Sequence, residues 1–173
     1  AADYGYNERF SNKTAIAPTA SISIICGGAS PGVEPVAANS YTHKTLSGSF
    51  NVRNRYLVEL LEKHGKNTDD VWSGITTNQG SVSHLDFLTD LEKDVFKTAF
   101  ELDQKWIIEL SGDRTPYISQ AQSINLFVPA DIHKRELHKI HFDAWKKGLK
   151  SLYYCRSKSI QRAENVNDTK ATD

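Results

Sequence analysis

The first residues that could do chemistry form a run of small and hydroxylated side chains, Pro18-Thr19-Ala20-Ser21-Ile22-Ser23. Small residues in a turn allow backbone N–H groups to converge, and hydroxyls add donors, so such a run can hold an anion without Lys or Arg. The alternative is an ordinary strand-to-turn junction whose hydroxyls bond the local backbone. No Gly-x-x-x-x-Gly-Lys loop occurs in the sequence. The pattern alone leaves both interpretations open.

A pair of adjacent phenols, Tyr153-Tyr154, is the second candidate. Neighbouring residues of a strand point to opposite faces, so one ring would ordinarily lie in the core and the other outside. The functional alternative is a relay of phenols. A neutral tyrosine, with an unperturbed pKa of about 10, can lose one electron if its proton also leaves. The sequence does not distinguish the two.

Histidines and cysteines are weaker candidates. His133, His138 and His141 share one predicted helix, and the last two could ligate a metal. No suitably spaced ligand completes that site, so the favoured interpretation is solvent-facing or core histidines, and no metal is predicted. Cys26 and Cys155 show neither a disulfide framework nor metal-ligand spacing. We predict reduced thiols that fill small buried positions.

The elements that must position these residues alternate between helices and short buried strands, which indicates an α/β fold. Apolar alternation and turn residues predict a hairpin over 41–52 and short strands over 123–128 and 152–154. Helical periodicity and end signals predict helices over 54–64, 68–77, 90–110 and 132–149.

Two of these helices carry specific expectations. Helix 90–110 begins with a Thr89-x-x-Glu92 capping box and ends near Gly112. Its predicted buried stripe is Leu91, Val95, Ala99, Leu102, Trp106 and Leu110. The predicted inner face of helix 132–149 is Leu137, Ile140, His141, Ala144, Trp145 and Gly148.

Composition bounds the class of protein. The chain has 173 residues, which is the size of one domain, and 39% of them are hydrophobic, which is enough for a core. Lys+Arg and Asp+Glu are both 21, so a generic nucleic-acid binder is not expected. The longest apolar run is far short of the ~20 residues of a membrane span. No secretory leader is recognisable, so we expect a cytoplasmic protein with neither nucleic-acid nor membrane partners.

The motifs follow one another in an order that resembles the large, catalytic subunit of class I ribonucleotide reductase. The run 15–23 (AIAPTASIS) is similar to the family's substrate-phosphate loop. The other matching segments are, in order, 31–35 (PGVEP), 41–50 (YTHKTLSGSF), 113–114 (DR), 120–125 (QAQSIN) and 145–157 (WKKGLKSLYYCRS). Each is a weak signal by itself, and their shared order across residues 14–157 carries the resemblance.

The resemblance implies an α/β fold that is the C-terminal portion of the family's ten-stranded α/β barrel, incomplete without an N-terminal partner chain. Residues 1–156 would form that portion, and 157–173 a flexible tail. The family reduces ribonucleoside diphosphates to 2′-deoxyribonucleoside diphosphates by a radical mechanism, for DNA synthesis.

The resemblance also implies roles for individual residues. The family's loop holds the substrate diphosphate through amides and hydroxyls, and it matches Thr19, Ala20, Ser21 and Ile22. Ile22 stands where some members carry a hydroxyl. Tyr153 and Tyr154 match the large-subunit end of the radical-transfer path. The helix over 132–149 matches the docking place of the small subunit's C-terminal tail.

Other family features have no counterpart in this sequence. These are the thiyl-radical cysteine, the reducing cysteine pair and the Asn and Glu beside them, which we expect on an N-terminal piece of the large subunit. The chain is therefore expected to be inactive alone and to bind no cofactor itself. The holoenzyme would need the small subunit's metal-radical cofactor and an external thiol reductant. The alternative is a stand-alone nucleotide-binding or small-subunit-docking module without catalysis.

Overall fold

The computed structural model describes residues 12–19, 22–23, 26–27, 30, 32–45 and 48–157. They belong to two compact units, Pro35–Leu102 and, together, Ala1–Glu34 and Asp103–Asp173. The first unit contains β1 (Ser40–Thr45), β2 (Gly48–Arg53), α1 (Arg55–Lys63), α2 (Asp69–Thr77) and α3 (Asp90–Val95). The second contains α4 (Gln104–Arg114), β3 (Leu126–Val128), α5 (Lys134–Lys146) and β4 (Cys155–Ser157).

The unit Pro35–Leu102 confirms the predicted hairpin and the first two helices. β1 and β2 pair antiparallel, with Ser40 opposite Arg53. The side chains of Asn54 and Thr68 each accept an N–H group in the first helical turn, that of Tyr56 in α1 and that of Val71 in α2. The apolar faces of both helices meet in one buried cluster, which contains Leu57, Leu61, Trp72, Ile75, Val82, Leu85 and Leu88.

The predicted capping box at the start of α3 is present and reaches back to α1. Glu92 accepts the backbone N–H of Thr89, whose hydroxyl accepts the N–H of Glu92. The Nε2 atom of His64, the residue that directly follows α1, lies 3.0 Å from the Glu92 carboxylate. Hydrogen bonds from His64 and then from Thr89 lower the pKa of Glu92 to about 2. The capping carboxylate therefore stays ionised near neutral pH.

The prediction of one long helix over 90–110 is wrong. α3 ends at Val95 and α4 begins only at Gln104. Between them, Glu101 accepts both the N–H and the hydroxyl of Thr98, and Asp103 caps α4 by accepting the N–H of Lys105. A second Thr-x-x-Glu pattern at 98–101 thus marks the break, because these short polar bonds compete with the helical ladder.

The apolar stripe assigned to that helix is largely exposed. Leu91, Val95 and Trp106 are 74%, 68% and 62% exposed, whereas Ala99 is fully buried. The apolar residues keep the 3.6-residue spacing across the break. Because they belong to two separate helices, this spacing does not place them on one common face. The helix was predicted to end at residue 110, with 111–114 as the terminating segment, and α4 runs through that segment to its last residue, Arg114.

The second unit contains a strand–helix–strand arrangement, β3–α5–β4, whose strands pair in parallel. Leu126 stands opposite Cys155 and Val128 opposite Ser157. A parallel pair needs a crossover connection, and α5 supplies it. The strand predicted over 152–154 is displaced, since β4 starts at Cys155. The arrangement confirms the α/β class.

α5 buries a narrower face than predicted. Ala144 packs with Ile108 of α4 and Leu126 of β3, and Ile140 lies half-buried beside them. Leu137 is also half-buried, whereas His141, Trp145 and Gly148 are exposed. One flank of α5 contacts α4 and β3, so a face wide enough for all six residues is not covered.

We expect Gly80→Ala to destabilise the first unit strongly. Gly80 has φ +84°, and an added Cβ would overlap Ala38 and lie 3.0 Å from the N atom of Asn39. Left-handed strain and overpacking together should lower the free energy of unfolding by about 3 kcal/mol. The control is Gly65→Ala, with φ +63° but open space around the added methyl, which should cost about 1 kcal/mol. Chemical denaturation measures both, and equal losses would contradict the expectation.

Candidate functional site

The rings of Tyr153 and Tyr154 lie together on one side of the chain. Their centroids are 4.1 Å apart and their planes meet at 52°. The side chains are 47% and 53% exposed, so neither is a core residue. The alternative in which one ring fills the core is therefore wrong.

The backbone explains why adjacent side chains fall on the same side. The N–H of Tyr153 donates to the carbonyl of Ile124 at 2.9 Å, and the carbonyl of Tyr154 accepts the N–H of Leu126 at 2.8 Å. Since Leu126 already stands opposite Cys155, both tyrosines face the single residue Asn125. Two residues opposite one is the arrangement of a β-bulge, which interrupts the strict alternation of side chains.

The two phenols are also coupled electrostatically. The hydrogen bond to Tyr154 raises the pKa of Tyr153, and the charge interaction with Tyr154 and partial desolvation raise it further. The Arg156 guanidinium opposes this rise, and it lies 5.3 Å from the ring centroid of Tyr154. Tyr153 is therefore a neutral phenol near pH 7, with the ring of a second phenol beside it.

The structure describes only part of the predicted anion loop. Thr19 and Ile22 are described, whereas Ala20 and Ser21 lie outside the described residues. The carbonyl of Thr19 accepts the N–H of Ser23, and that of Ile22 accepts the N–H of Cys26. Both bonds join residues that are four apart in the chain, which is the spacing of helical hydrogen bonds. The Ile22 side chain is exposed.

The cysteines differ from the prediction, whereas the three histidines are exposed, in agreement with the solvent-facing interpretation. Cys26 and Cys155 are both exposed, so the prediction that they fill buried positions is wrong. Cys26 lies in a turn and Cys155 in a strand whose residues are all exposed. His133 caps α5 by accepting the N–H of Arg135. Among the described residues, no three His, Cys, Asp or Glu side chains are grouped to hold a metal ion.

Sequence reasoning missed a row of exposed aromatic rings along α5. His138 stacks on Phe142 at 6.0 Å, and Phe142 lies 5.5 Å from Trp145. Trp145 is 70% exposed. The signal is the spacing of four and three residues, which places all three on one helix face. Of the three, only Trp145 was predicted to be buried, and all three side chains are accessible to a partner.

The sequence was also compared with known proteins. The family described as "Ribonucleotide reductase, barrel domain" matches residues 2–155. The chain belongs to this family. Within the described residues, no helix is both long and apolar enough to span a membrane.

Individual relatives agree with this membership. A large subunit of ribonucleoside-diphosphate reductase from Invertebrate iridescent virus 6 is 53% identical over 167 residues, covering 94% of this chain and 17% of that protein. The alpha subunit of the Chlamydia trachomatis (serovar D) reductase is 39% identical over 150 residues, covering 87% of this chain and 14% of that protein.

A solved structure resembles the fold. The alpha subunit of a class Id ribonucleotide reductase from Actinobacillus ureae matches with a TM-score of 0.78 and 41% identity, over 90% of this chain and 28% of that one. The chain thus spans less than a third of the length of each of these three proteins. The fold is that of part of a ribonucleotide reductase barrel domain.

Proposed function

We propose that this chain is part of the catalytic subunit of a ribonucleoside-diphosphate reductase and carries its tyrosine relay and substrate-phosphate loop. The observation that carries the proposal is the pair of phenols held 4.1 Å apart on one side of a bulge. An ordinary strand would separate two adjacent side chains. Family membership supplies the reaction, the reduction of ribonucleoside diphosphates to 2′-deoxyribonucleoside diphosphates.

The pair can pass on one oxidising equivalent in balanced steps. A tyrosyl radical on one residue takes an electron from the neighbouring phenol, which gives up its O–H proton as it is oxidised. The first tyrosine gains that electron and a proton on its oxygen, which makes it a neutral phenol, and the second becomes the neutral radical. The closeness of the two rings, whose centroids are 4.1 Å apart, supports this exchange, because the electron has a short distance to cross.

The remaining parts of the reaction would come from partners. The oxidising equivalent would originate in the metal-radical cofactor of a small subunit, and the electrons for the substrate in an external thiol reductant. The cysteine chemistry would reside on an N-terminal piece of the large subunit. This chain would bind no cofactor itself and act in the cytoplasm, where exposed thiols such as Cys26 and Cys155 stay reduced.

The loop over 19–22 would bind the substrate diphosphate. Its side chains offer hydroxyls without an acid or a base, so it would contribute affinity and no radical chemistry. We expect Ser21→Ala to remove one donor to a charged group, worth about 1.5 kcal/mol and at most about 3 kcal/mol. The apparent KM for ribonucleoside diphosphates should then rise about tenfold or more.

Steady-state kinetics of the reconstituted enzyme measure this change. Cys26→Ser is the control, because that exposed thiol follows the loop and should leave KM unchanged. The level of the small subunit's radical should stay normal in both variants. An unchanged KM for every ribonucleoside diphosphate in Ser21→Ala would exclude the loop from substrate binding.

A second candidate function is a docking module without catalysis, either for the small subunit or for a nucleotide. The exposed rings of His138, Phe142 and Trp145 favour docking, since aromatic side chains dominate binding energy at interfaces. We propose that this row receives the small subunit's C-terminal tail in either case. A pure docking module would differ in one respect: phenylalanine could replace its paired tyrosines without loss of function.

A further inference from the structure

The strand that holds the tyrosine pair is anchored on its other edge by side chains. Ile124 and Leu126 bond the backbone of the pair, and the intervening N–H of Asn125 points to the opposite edge, because successive groups along a strand alternate. That N–H donates to Oε1 of Glu34 at 2.6 Å. The next N–H on the same edge, that of Phe127, donates to Oε1 of Gln104 at 2.9 Å.

Glu34 is built into this position. It is only 4% exposed, and its own carbonyl accepts the hydroxyl of Ser30. A Cβ added at Gly32 would overlap the Glu34 carboxyl group, so the glycine makes room for it. Burying a carboxyl group is costly unless hydrogen bonds compensate. Glu34 belongs to the segment 31–35 (PGVEP). The proposed function, which uses residues 19–22 and the two tyrosines, gives this segment no role.

We propose that Glu34 is a positioning residue for the tyrosine pair, fixing Asn125 and therefore the bulge that brings both phenols to one side. The inference rests on the radical-transfer role proposed for Tyr153 and Tyr154. The side-chain Oδ1 of Asn125 is buried and has no hydrogen-bond partner among the described residues. On this edge, the Glu34 carboxylate holds the backbone N–H of Asn125.

Loss of the Glu34 contact would affect the two phenols because Asn125 lies between the two residues that bond them. Without the Glu34 oxygen, the N–H of Asn125 would be buried without its acceptor, and the strand would shift to satisfy it. The residues on either side carry the backbone bonds of both tyrosines, so the shift passes directly to the pair. A displacement of about 1 Å in a reacting pair can cost on the order of 100-fold in rate.

The test compares four variants of the full chain, assembled with the rest of the enzyme for kinetics. Glu34→Ala removes the acceptor, Glu34→Gln keeps an oxygen in its place, and Gly32→Ala pushes the carboxyl group aside. Gln104→Ala is the matched control, because it removes the neighbouring edge bond and spares that of Asn125. The readouts are kcat, KM, and the titration of Tyr153 followed by NMR of ring-labelled tyrosine.

We expect Glu34→Ala and Gly32→Ala to return the pKa of Tyr153 toward its ordinary value of about 10. Their kcat should fall about 100-fold with KM unchanged. Glu34→Gln should stay within about threefold of the parent, because its amide oxygen accepts the same bond. Gln104→Ala should lower thermal stability and change the Tyr153 titration less than Glu34→Ala, because Phe127 neighbours Leu126 but not Ile124, which bonds Tyr153.

Parent-like titration and kcat in both Glu34→Ala and Gly32→Ala would overturn the proposal. A loss in Glu34→Gln as large as in Glu34→Ala would also overturn it, since the acceptor oxygen would then not be what matters. If Glu34→Ala does not fold, the Tyr153 titration and kcat of Gly32→Ala and Glu34→Gln test the proposal. A parent-like Gly32→Ala or a strongly impaired Glu34→Gln would overturn it. The NMR titration needs no turnover, so it decides the role of Glu34 even if the tyrosines prove to carry no radical.

Discussion

Tyr153→Phe and Tyr154→Phe are each expected to abolish nucleotide reduction in the reconstituted enzyme, with substrate affinity and small-subunit docking near parent values. Phenylalanine keeps the ring and removes only the O–H, so the radical has no proton-coupled step to take. The cost to stability is small, since each change loses one hydrogen bond, worth about 1 kcal/mol. Both side chains are half-exposed, so neither supports a core.

Turnover and binding should be measured side by side on the same preparations. Tyr117→Phe is the matched control: it removes the O–H of an exposed tyrosine in the same unit, outside the pair, and should change nothing. If either pair variant turns over at close to the parent rate, the radical path does not run through these residues, and the docking function becomes the better account.

The second large effect concerns the chain by itself. We expect no reductase activity from the chain alone or with a small subunit, and turnover when the N-terminal piece of the large subunit is added. The reason is chemical: the family's thiyl-radical and reducing cysteines have no counterpart in this sequence. The exposed thiols of Cys26 and Cys155 should not substitute for them, so Cys26→Ser and Cys155→Ser should keep most of the reconstituted activity.

Nucleotide binding distinguishes this account from a free-standing module. A module should be a monomer that binds a ribonucleoside diphosphate unaided, whereas part of a catalytic subunit should bind it only in the assembled enzyme. Equilibrium binding of a labelled ribonucleoside diphosphate, with and without the N-terminal piece, measures the difference. Reduction by this chain and a small subunit alone would refute the expected division of labour.

Features set by neighbouring residues were predictable from the sequence. Asn54 and Thr68 begin helices because their side chains accept N–H groups in the first helical turn, whatever the rest of the fold does. Gly65 follows α1 with φ +63° for an equally local reason. The hairpin and the parallel strand–helix–strand unit follow from the same kind of pattern, which is why the fold class was predictable.

Features set by packing were not predictable in this way. The stripe through Leu91 and Trp106 keeps a helical spacing although Glu101 and Asp103 break the helix between them. The spacing along α5 likewise placed Trp145 inside, because periodicity identifies a helix face without saying what covers it. The polar pair Thr98-x-x-Glu101 is the local signal of the break, and the apolar periodicity outweighed it in the prediction.

In the candidate site, too, the local features could be predicted and those that depend on distant residues could not. The sequence identified Tyr153 and Tyr154 as a possible pair of redox-active phenols. The alternation of side chains along a strand, however, predicted that their rings would lie on opposite faces of the sheet. Their common side depends on hydrogen bonds to Ile124 and Leu126, which are distant in the chain and bond the pair across the sheet. The contact between Glu34 and Asn125 joins residues that are 91 positions apart, so no local sequence pattern indicated it.

The most direct test looks for the radical on the chain itself. An analogue that is easier to oxidise than tyrosine, such as 3-aminotyrosine, is placed at position 153 or 154, and the assembled enzyme is mixed with a ribonucleoside diphosphate. Electron paramagnetic resonance should then show a new aminotyrosyl signal that grows as the small subunit's radical declines. A small-subunit radical that stays at its starting level, with no new signal from either position, would contradict the account.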